Sequence, residues 1–234
     1  MRKIGFSHGV LFKIHEAYTK ENIQLFTDCG CTALEINCHS IQDIDSFDSI
    51  YPYLNNFERL SIHLPSSIRY KNNEETRNVL KRIENFYFKI NAQLAVVHPD
   101  VVDDWEVFNE FKIDLGVENM DDRKKIFREV SDFKNFFAVH KDFGLVLDLG
   151  HCNINDKSMV LADDFINEFK NKIKEIHLSG YEVFHDPLYR TKQLEIIKRC
   201  RDLNVPIIIE STFELSDGTE GVKKEFDYII ENLK

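Results

Sequence analysis

Paired cysteines are missing from this chain. There are five, an odd number, with no Cys-x-x-Cys; Cys29 and Cys31 flank a single Gly and the others are scattered. That spacing speaks against a disulfide framework and suits a reduced, cytoplasmic setting. Also missing is any apolar run long enough to span a bilayer. The two basic residues near the N-terminus are not followed by an apolar core, so no secretory signal is expected. Proline and glycine are sparse, at 5 and 9 in 234 residues, and no Pro/Gly/Ser-rich linker or low-complexity run interrupts the chain. The expectation is one domain over residues 1–234. Positive charge is in deficit: 30 Lys and Arg against 40 Asp and Glu leave a formal charge of −10. That argues against a generally basic surface for DNA. It leaves room for a local basic patch or a metal-lined mouth, since bound cations reverse the local sign.

Short apolar, β-branched runs that close on a polar residue are plentiful. Leu145-Val146-Leu147-Asp148 is the clearest, followed at once by Leu149-Gly150-His151. A run of this kind reads as a strand buried on both faces of a parallel sheet, and ending it in a bare carboxylate is costly unless something positive meets the charge. The same design closes on Glu35, His63, His98, Glu118, His177 and Glu210, and Lys3-Ile4-Gly5-Phe6 supplies a first strand. The closing residues lie about 20 to 35 positions apart, the length of one βα unit in a (β/α)8 barrel of about 250 residues. The expected fold is therefore α/β, a single (β/α)8 TIM barrel with its active site at the C-terminal ends of the strands. With 43% hydrophobic residues and 19 Phe, bulky packing between barrel and helices is expected.

Helical signals fill the intervals. Residues 19–29 start at a Thr19 cap and stop at Gly30, and a second helix is expected within 43–56. Asn73 to Asn91 carries a stripe of Val79, Leu80, Ile83, Phe86 and Ile90. Trp105, Phe108 and Phe111 suggest a small amphipathic helix, and Asp122-Arg123-Lys124-Lys125 a polar helical start. Ser131 is expected to cap a helix reaching a solvated His140, with further helices over about 158–171, 190–203 and 219–233.

Strand ends of a parallel barrel converge on one face, so residues distant in sequence can share one coordination sphere. His63, His98, Glu118, Asp148, His151, His177, His185 and Glu210 form the candidate metal-ligand set. Imidazoles and carboxylates together suit zinc, manganese or iron. His8 in the loop after the first strand, Glu35, and Asp186 beside His185 are candidates for substrate contact. A solvated loop role for His8, and a capping or supporting role for Glu35 and His39, explain those residues as well.

Glu118, the Asp148-x-x-His151 pair, His177 and Glu210 resemble the metal-site pattern of the xylose-isomerase-like TIM barrel superfamily, the endonuclease IV and sugar isomerase–epimerase group, over the whole chain. In the sugar isomerases of that group the matching Glu, Asp, His and Glu bind one divalent ion, and the two glutamates move a proton. Endonuclease IV adds histidines matched here by His63 and His98, and a third ion matched by His151 and His185. Its partner Asp would stand at position 183, which is Val, so the resemblance leaves that site without its expected Asp unless Asp186 takes the place. The Asn-Asp-Ser that follows the strand-seven His in endonuclease IV is replaced here by Leu178-Ser179-Gly180, and the Asp and Arg that epimerases carry there are absent. His177-Leu178-Ser179-Gly180 is also similar to a motif of multinuclear non-haem iron oxygenases. The resemblance implies a metal-dependent enzyme holding one to three ions. The first reading is phosphoester hydrolysis at a di- or trinuclear site, with Glu118 and Glu210 as catalytic residues. Its alternatives are a mononuclear sugar (phosphate) isomerase or epimerase, an iron oxygenase, and a degenerate barrel whose polar groups bond one another. The expected partner is a small phosphoester or sugar; the sequence sets no oligomeric state.

Overall fold

A computed structural model describes residues 2–14 and 19–234, apart from the side chain of Asp45. Eight parallel strands close into a barrel in chain order. They are β1 (Ile4–Ser7), β2 (Ala33–Asn37), β3 (Arg59–His63), β4 (Leu94–Val97), β5 (Leu115–Glu118), β6 (Gly144–Asp148), β7 (Ile173–Leu178) and β8 (Ile207–Ile209). Each pairs with its successor, and β8 returns to β1 through Ile4↔Ile207 and Phe6↔Ile209. The expected (β/α)8 barrel is what the chain forms.

The helices are α1 (Lys20–Asp28), α2 (Asp43–Ser46), α3 (Glu74–Lys89), α4 (Val130–Val139), α5 (Leu149–Asn155), α6 (Val160–Phe169), α7 (Leu188–Thr191), α8 (Leu194–Arg199) and α9 (Gly218–Asn232). Thr19 caps α1 by accepting from the Asn22 amide, and Asn73 caps α3 through the Thr76 amide. Outward-facing strand residues such as Leu34, Ile36, Leu60, Ile62, Leu145 and Leu147 join the helices in one large core. A separate small apolar cluster is formed by Leu94, Val96 and Val146.

Several helical expectations need correction. A helix does lie within 43–56, but only as the short α2, followed by 3-10 turns over Phe47–Ser49 and Tyr51–Asn56. Pro52 lacks an amide and clashes with the carbonyl four residues earlier, which prevents a longer helix. The Trp105 segment is likewise a 3-10 turn, Trp105–Glu110. Residues 122–125 do not start a helix: Asp121 Oδ1 accepts from the Arg123 amide at 3.0 Å and holds a turn instead. α4 is capped by Glu129 in a reciprocal box with Asp132, not by Ser131, and His140 stacks half-buried on Phe136 with ring centroids 4.6 Å apart. The predicted helix near 158–171 is preceded by the unforeseen α5, which starts directly at the end of β6. The one near 190–203 is broken into α7 and α8 at Lys192, φ +59°.

Gly5 allows the barrel to close. A Cβ built there would lie 1.7 Å from the Ala33 carbonyl oxygen, which no relaxation of a side chain can relieve. Gly5→Ala is expected to destabilise the fold by about 3 kcal/mol or to prevent folding. Gly9→Ala, whose new carbon would meet the Asn37 side chain at 3.4 Å, should melt close to the parent; paired thermal unfolding curves check both.

Candidate metal centre

β3 ends on His63, β5 on Glu118 and β6 on Asp148; His98 follows β4, His177 is the penultimate residue of β7, and Glu210 follows β8. Barrel register brings them together, with Asp148 directly opposite His177. Two loops complete the set. α5 places His151 in its first turn, with Asp148 as N-cap accepting from the His151 amide at 2.7 Å. Gly150 between them packs so tightly that a Cβ would stand 2.8 Å from Ser179 Oγ. The loop after β7 supplies His185 at φ +45°, a costly left-handed conformation, its carbonyl bonded by the Thr212 amide at 2.7 Å.

The side chains form three overlapping donor groups: His63, His98 and Glu118; Glu118, Asp148, His177 and Glu210; Asp148, His151 and His185. His63 Nε2 and His98 Nε2 lie 3.1 Å apart and 3.3 and 3.1 Å from Glu118 Oε2. The other oxygen, Glu118 Oε1, lies 3.4 Å from His177 Nδ1 and 3.5 Å from His151 Nδ1. Glu210 Oε1 stands 3.4 Å from His177 Nδ1, and its Oε2 3.8 Å from His185 Nδ1.

Backbone carbonyls fix which imidazole nitrogen is free to ligate. A carbonyl only accepts, so His63 Nδ1 must donate to Leu64 at 3.1 Å, and Nε2, which faces His98 and Glu118, is the nitrogen that could ligate. His151 Nδ1 donates to the Asn119 carbonyl at 2.8 Å, leaving Nε2. His151 Nε2, His177 Nδ1 and Asp148 Oδ2 are buried without an aligned hydrogen-bond partner. Orphaned nitrogen and oxygen donors converging at one place fit a divalent cation such as zinc or manganese.

Opposite charges in the cluster shift one another's titration. Burial alone would lower His63, but the bonded Glu118, with Glu35 and Glu210, lifts it to about 9. Burial likewise opposes protonation of His177, and Glu210, Glu35 and Glu118 overcome it and hold the ring well above the usual range. Glu118 stays well below the usual carboxylate range, because His98 and His177 outweigh its burial. His177 in the same way brings Glu210 down to about 2. Burial, aided by Glu118 and Glu210, raises Asp148 to about 7 despite His151. Burial takes His185 down to about 4.

Above the cluster opens a cavity of about 240 Å³, lined in part by Ser7, His39, Ser66, Arg123, Phe184 and Thr212. His63, His98, Glu118, His151, His185 and Glu210 reach it. Asp148 and His177, both 0% exposed, lie beneath. The remaining expected contacts do not reach it. His8 is buried, with Nδ1 accepting the Asn37 amide at 3.1 Å, so it is neither a solvated loop residue nor on the cavity wall. Glu35 lies inside the barrel, 3.2 Å from His177 Nε2. Asp186 accepts from the amides of Glu182, Val183 and Phe184, so its carboxylate folds its own loop and does not complete the His151–His185 group. Asp121 is nearer that role, 4.0 Å from His151 Nε2.

Sequence reading missed Asp121 and Arg123. Arg123 is the one Arg or Lys on the cavity wall among the described residues. Asp121 holds its guanidinium through Nε and Nη2, and the plane lies 4.6 Å from the Phe184 ring centroid. Tyr181 donates to the same carboxylate at 2.8 Å. Burial would raise Asp121, but Arg123 and Tyr181 bring it to about 2. An Asp-x-Arg turn just past a strand carboxylate was the available signal. Asn119 was also missed. It joins β5 to β6 by accepting from the Asp148 amide at 2.7 Å and donating to the Asp148 carbonyl at 3.0 Å.

No protein-family model matches the chain, and no curated protein matches it in sequence. Solved structures do share its fold, a single (β/α)8 barrel. A 3-keto-D-glucoside 4-epimerase from E. coli is 12% identical, with a TM-score of 0.68 over 99% of this chain and 100% of that one. Endonuclease IV from Thermus thermophilus is 14% identical, with a TM-score of 0.66 over 90% and 93%. A xylose isomerase domain protein from Alicyclobacillus acidocaldarius is 12% identical, with a TM-score of 0.61 over 95% and 96%.

The burial of His8 has a measurable sign. Burial, with His39 nearby, lowers it from 6.5 to about 4 against the smaller effects of Asp43 and Glu35. Between those values the unfolded chain takes up a proton that the folded one does not, so this group destabilises the fold as pH falls. His8→Asn keeps an acceptor near the Nδ1 position and does not titrate. Wild-type stability minus that of His8→Asn should therefore fall between pH 6.5 and 4, by at most about 1.4 kcal/mol per pH unit, in urea unfolding at a series of pH values.

Proposed function

We propose that this chain acts as a single-domain, divalent-metal-dependent enzyme that hydrolyses a small phosphoester at a site for two or three ions. The placement of Glu118 carries this reading. One of its oxygens faces His63 and His98, the other His177 and His151. A carboxylate facing two donor sets suits a ligand shared between ions, and one ion cannot use every group present. His63, His98 and Glu118 would hold one ion, Glu118, Asp148, His177 and Glu210 a second, and Asp148, His151 and His185 a third. When bound, zinc or manganese ions supply Lewis acidity toward phosphoryl oxygens.

The chain's own groups bind and orient the substrate. With two guanidinium nitrogens fixed by Asp121 and its plane against Phe184, Arg123 presents its remaining N–H groups without further ordering, which suits a phosphoryl oxygen. Ser66 and Thr212 add hydroxyls to the cavity wall. The cavity, about 240 Å³, and the charge of −10 favour a small molecule over duplex DNA. No helix among the described residues is long and apolar enough to cross a membrane.

A second reading, a one-ion sugar isomerase or epimerase, is supported by Glu118, Asp148, His177 and Glu210 forming a complete donor group by themselves. There Glu118 and Glu210 would move the substrate proton. Elemental analysis of protein purified without chelator or added metal separates the two. Two or three equivalents, falling by about one in His63→Ala and His98→Ala, are expected. One equivalent, untouched by those changes and lost in Asp148→Ala, would establish the sugar reading. Iron in place of zinc or manganese would redirect the search to oxygen chemistry. Arg123→Met should weaken inhibition by inorganic phosphate about tenfold, the loss of one charge-assisted hydrogen-bond contact, in assays with a generic aryl phosphate.

A further inference from the structure

Beneath the mouth, part of the barrel interior is polar. Glu35 of β2, Ser61 of β3, and Glu175 and His177 of β7 are each 0% exposed, facing the small cluster of Leu94, Val96 and Val146. Interiors of such barrels are ordinarily filled by branched apolar side chains. All four carboxylate oxygens of Glu35 and Glu175, and both ring nitrogens of His177, are buried without an aligned hydrogen bond. Their nearest polar neighbours form a column. Arg59 Nε, from the start of β3, lies 3.5 Å from Glu175 Oε2. His177 Nε2 lies 3.9 Å from Glu175 Oε1 and 3.2 Å from Glu35 Oε2. Filling the space would not call for two acids and a guanidinium, because apolar residues of similar volume stabilise an interior at least as well as buried ion pairs do. Nor does Glu35 reach the cavity.

The geometry points to Glu35 as a positioning residue, which keeps the His177 Nε2 proton turned to the barrel floor so that the Nδ1 lone pair faces Glu118 and Glu210. Arg59 Nε faces Glu175 from the start of β3, and Glu175, Glu35 and His177 each bring one polar atom within 4.8 Å of the others. An imidazole oriented by a carboxylate behind it is both fixed in tautomer and made a better donor. The Arg59–Glu175–Glu35 column thereby aims a ligand of the centre from the inside of the barrel, where no loop movement can disturb it. Its effect on metal affinity rests on the proposed metal site; the orientation of His177 does not.

Two measurements test this. The first is the zinc dissociation constant of wild type, Glu35→Ala, Glu35→Gln and Glu175→Gln by chelator competition, with thermal midpoints of the same proteins after metal removal. Glu35→Ala should weaken zinc about 10- to 100-fold. Glu35→Gln should recover part of that loss, because its amide oxygen can stand where the carboxylate oxygen faces Nε2 at 3.2 Å. Glu175→Gln should have a smaller effect. A lowered thermal midpoint with unchanged zinc affinity in Glu35→Ala would overturn the proposal in favour of a filling role. The second is the 15N–1H resonance of His177 Nε2, assigned by comparison with His177→Gln. It should be protected from solvent exchange in wild type and lost in Glu35→Ala; a resonance unaltered by Glu35→Ala would also overturn the proposal. Wild type that binds no zinc would defeat the metal reading, while the resonance would still decide the role of Glu35.

Discussion

A carboxylate removed from water needs positive charge or donors close by, and Glu118 meets that need with imidazoles from three other strands and from α5. His63, His98, His177 and His151 all stand within 3.5 Å of it. The arrangement is a product of strand register. Parallel strands of a closed barrel end at nearly the same height, so residues from five βα units meet without a long loop. The register shift between β6 and β7 at Leu145/Val146 is part of this, because the pairs beyond it set Asp148 opposite His177. Moving either strand by one residue would turn its carboxylate or imidazole out into the helical layer.

That much polarity in the middle of a fold is tolerable because cohesion lies elsewhere. The large core sits between strands and helices, where Phe6 stacks on Phe26 at 5.2 Å and Trp105 meets Phe136 and Phe143 at 4.7 and 5.5 Å. Aromatic contacts of this kind supply large buried areas. The barrel interior, relieved of most of that task, holds Glu35, Glu175 and Arg59.

The strands were legible in the sequence because burial on both faces leaves a largely apolar run, and the polar residue near its end marks the mouth at His63, His98, Glu118, Asp148, His177 and Glu210, though not at Glu35, which lies mid-strand inside the barrel. Helix α3 was legible from its stripe and its Asn73 cap. What periodicity does not encode is competition between side chain and backbone. Asp121 turns the chain where charged residues suggested a helix, Asp186 spends its carboxylate on three amides of its own loop, and Glu129 displaces Ser131 as a cap. Burial of single polar residues is equally silent: His8 follows a strand as a loop residue would, yet lies in the interior with its ring on the Asn37 amide. Six of the candidate ligands could be named from strand ends, His151 and His185 from positions just beyond them, whereas the Asp121–Arg123 pair needed the folded loop.

Asp148 serves two structures at once. Its Oδ1 holds the first turn of α5 through the His151 amide, while Oδ2 points into the donor group with no aligned partner. α5 in turn touches α6, β7 and α8. Any change in what Oδ2 binds therefore alters the charge that the start of α5 rests upon, and with it the docking of three neighbouring elements. Local cohesion on that side of the barrel and occupancy of the mouth are thus thermodynamically linked through a single carboxylate.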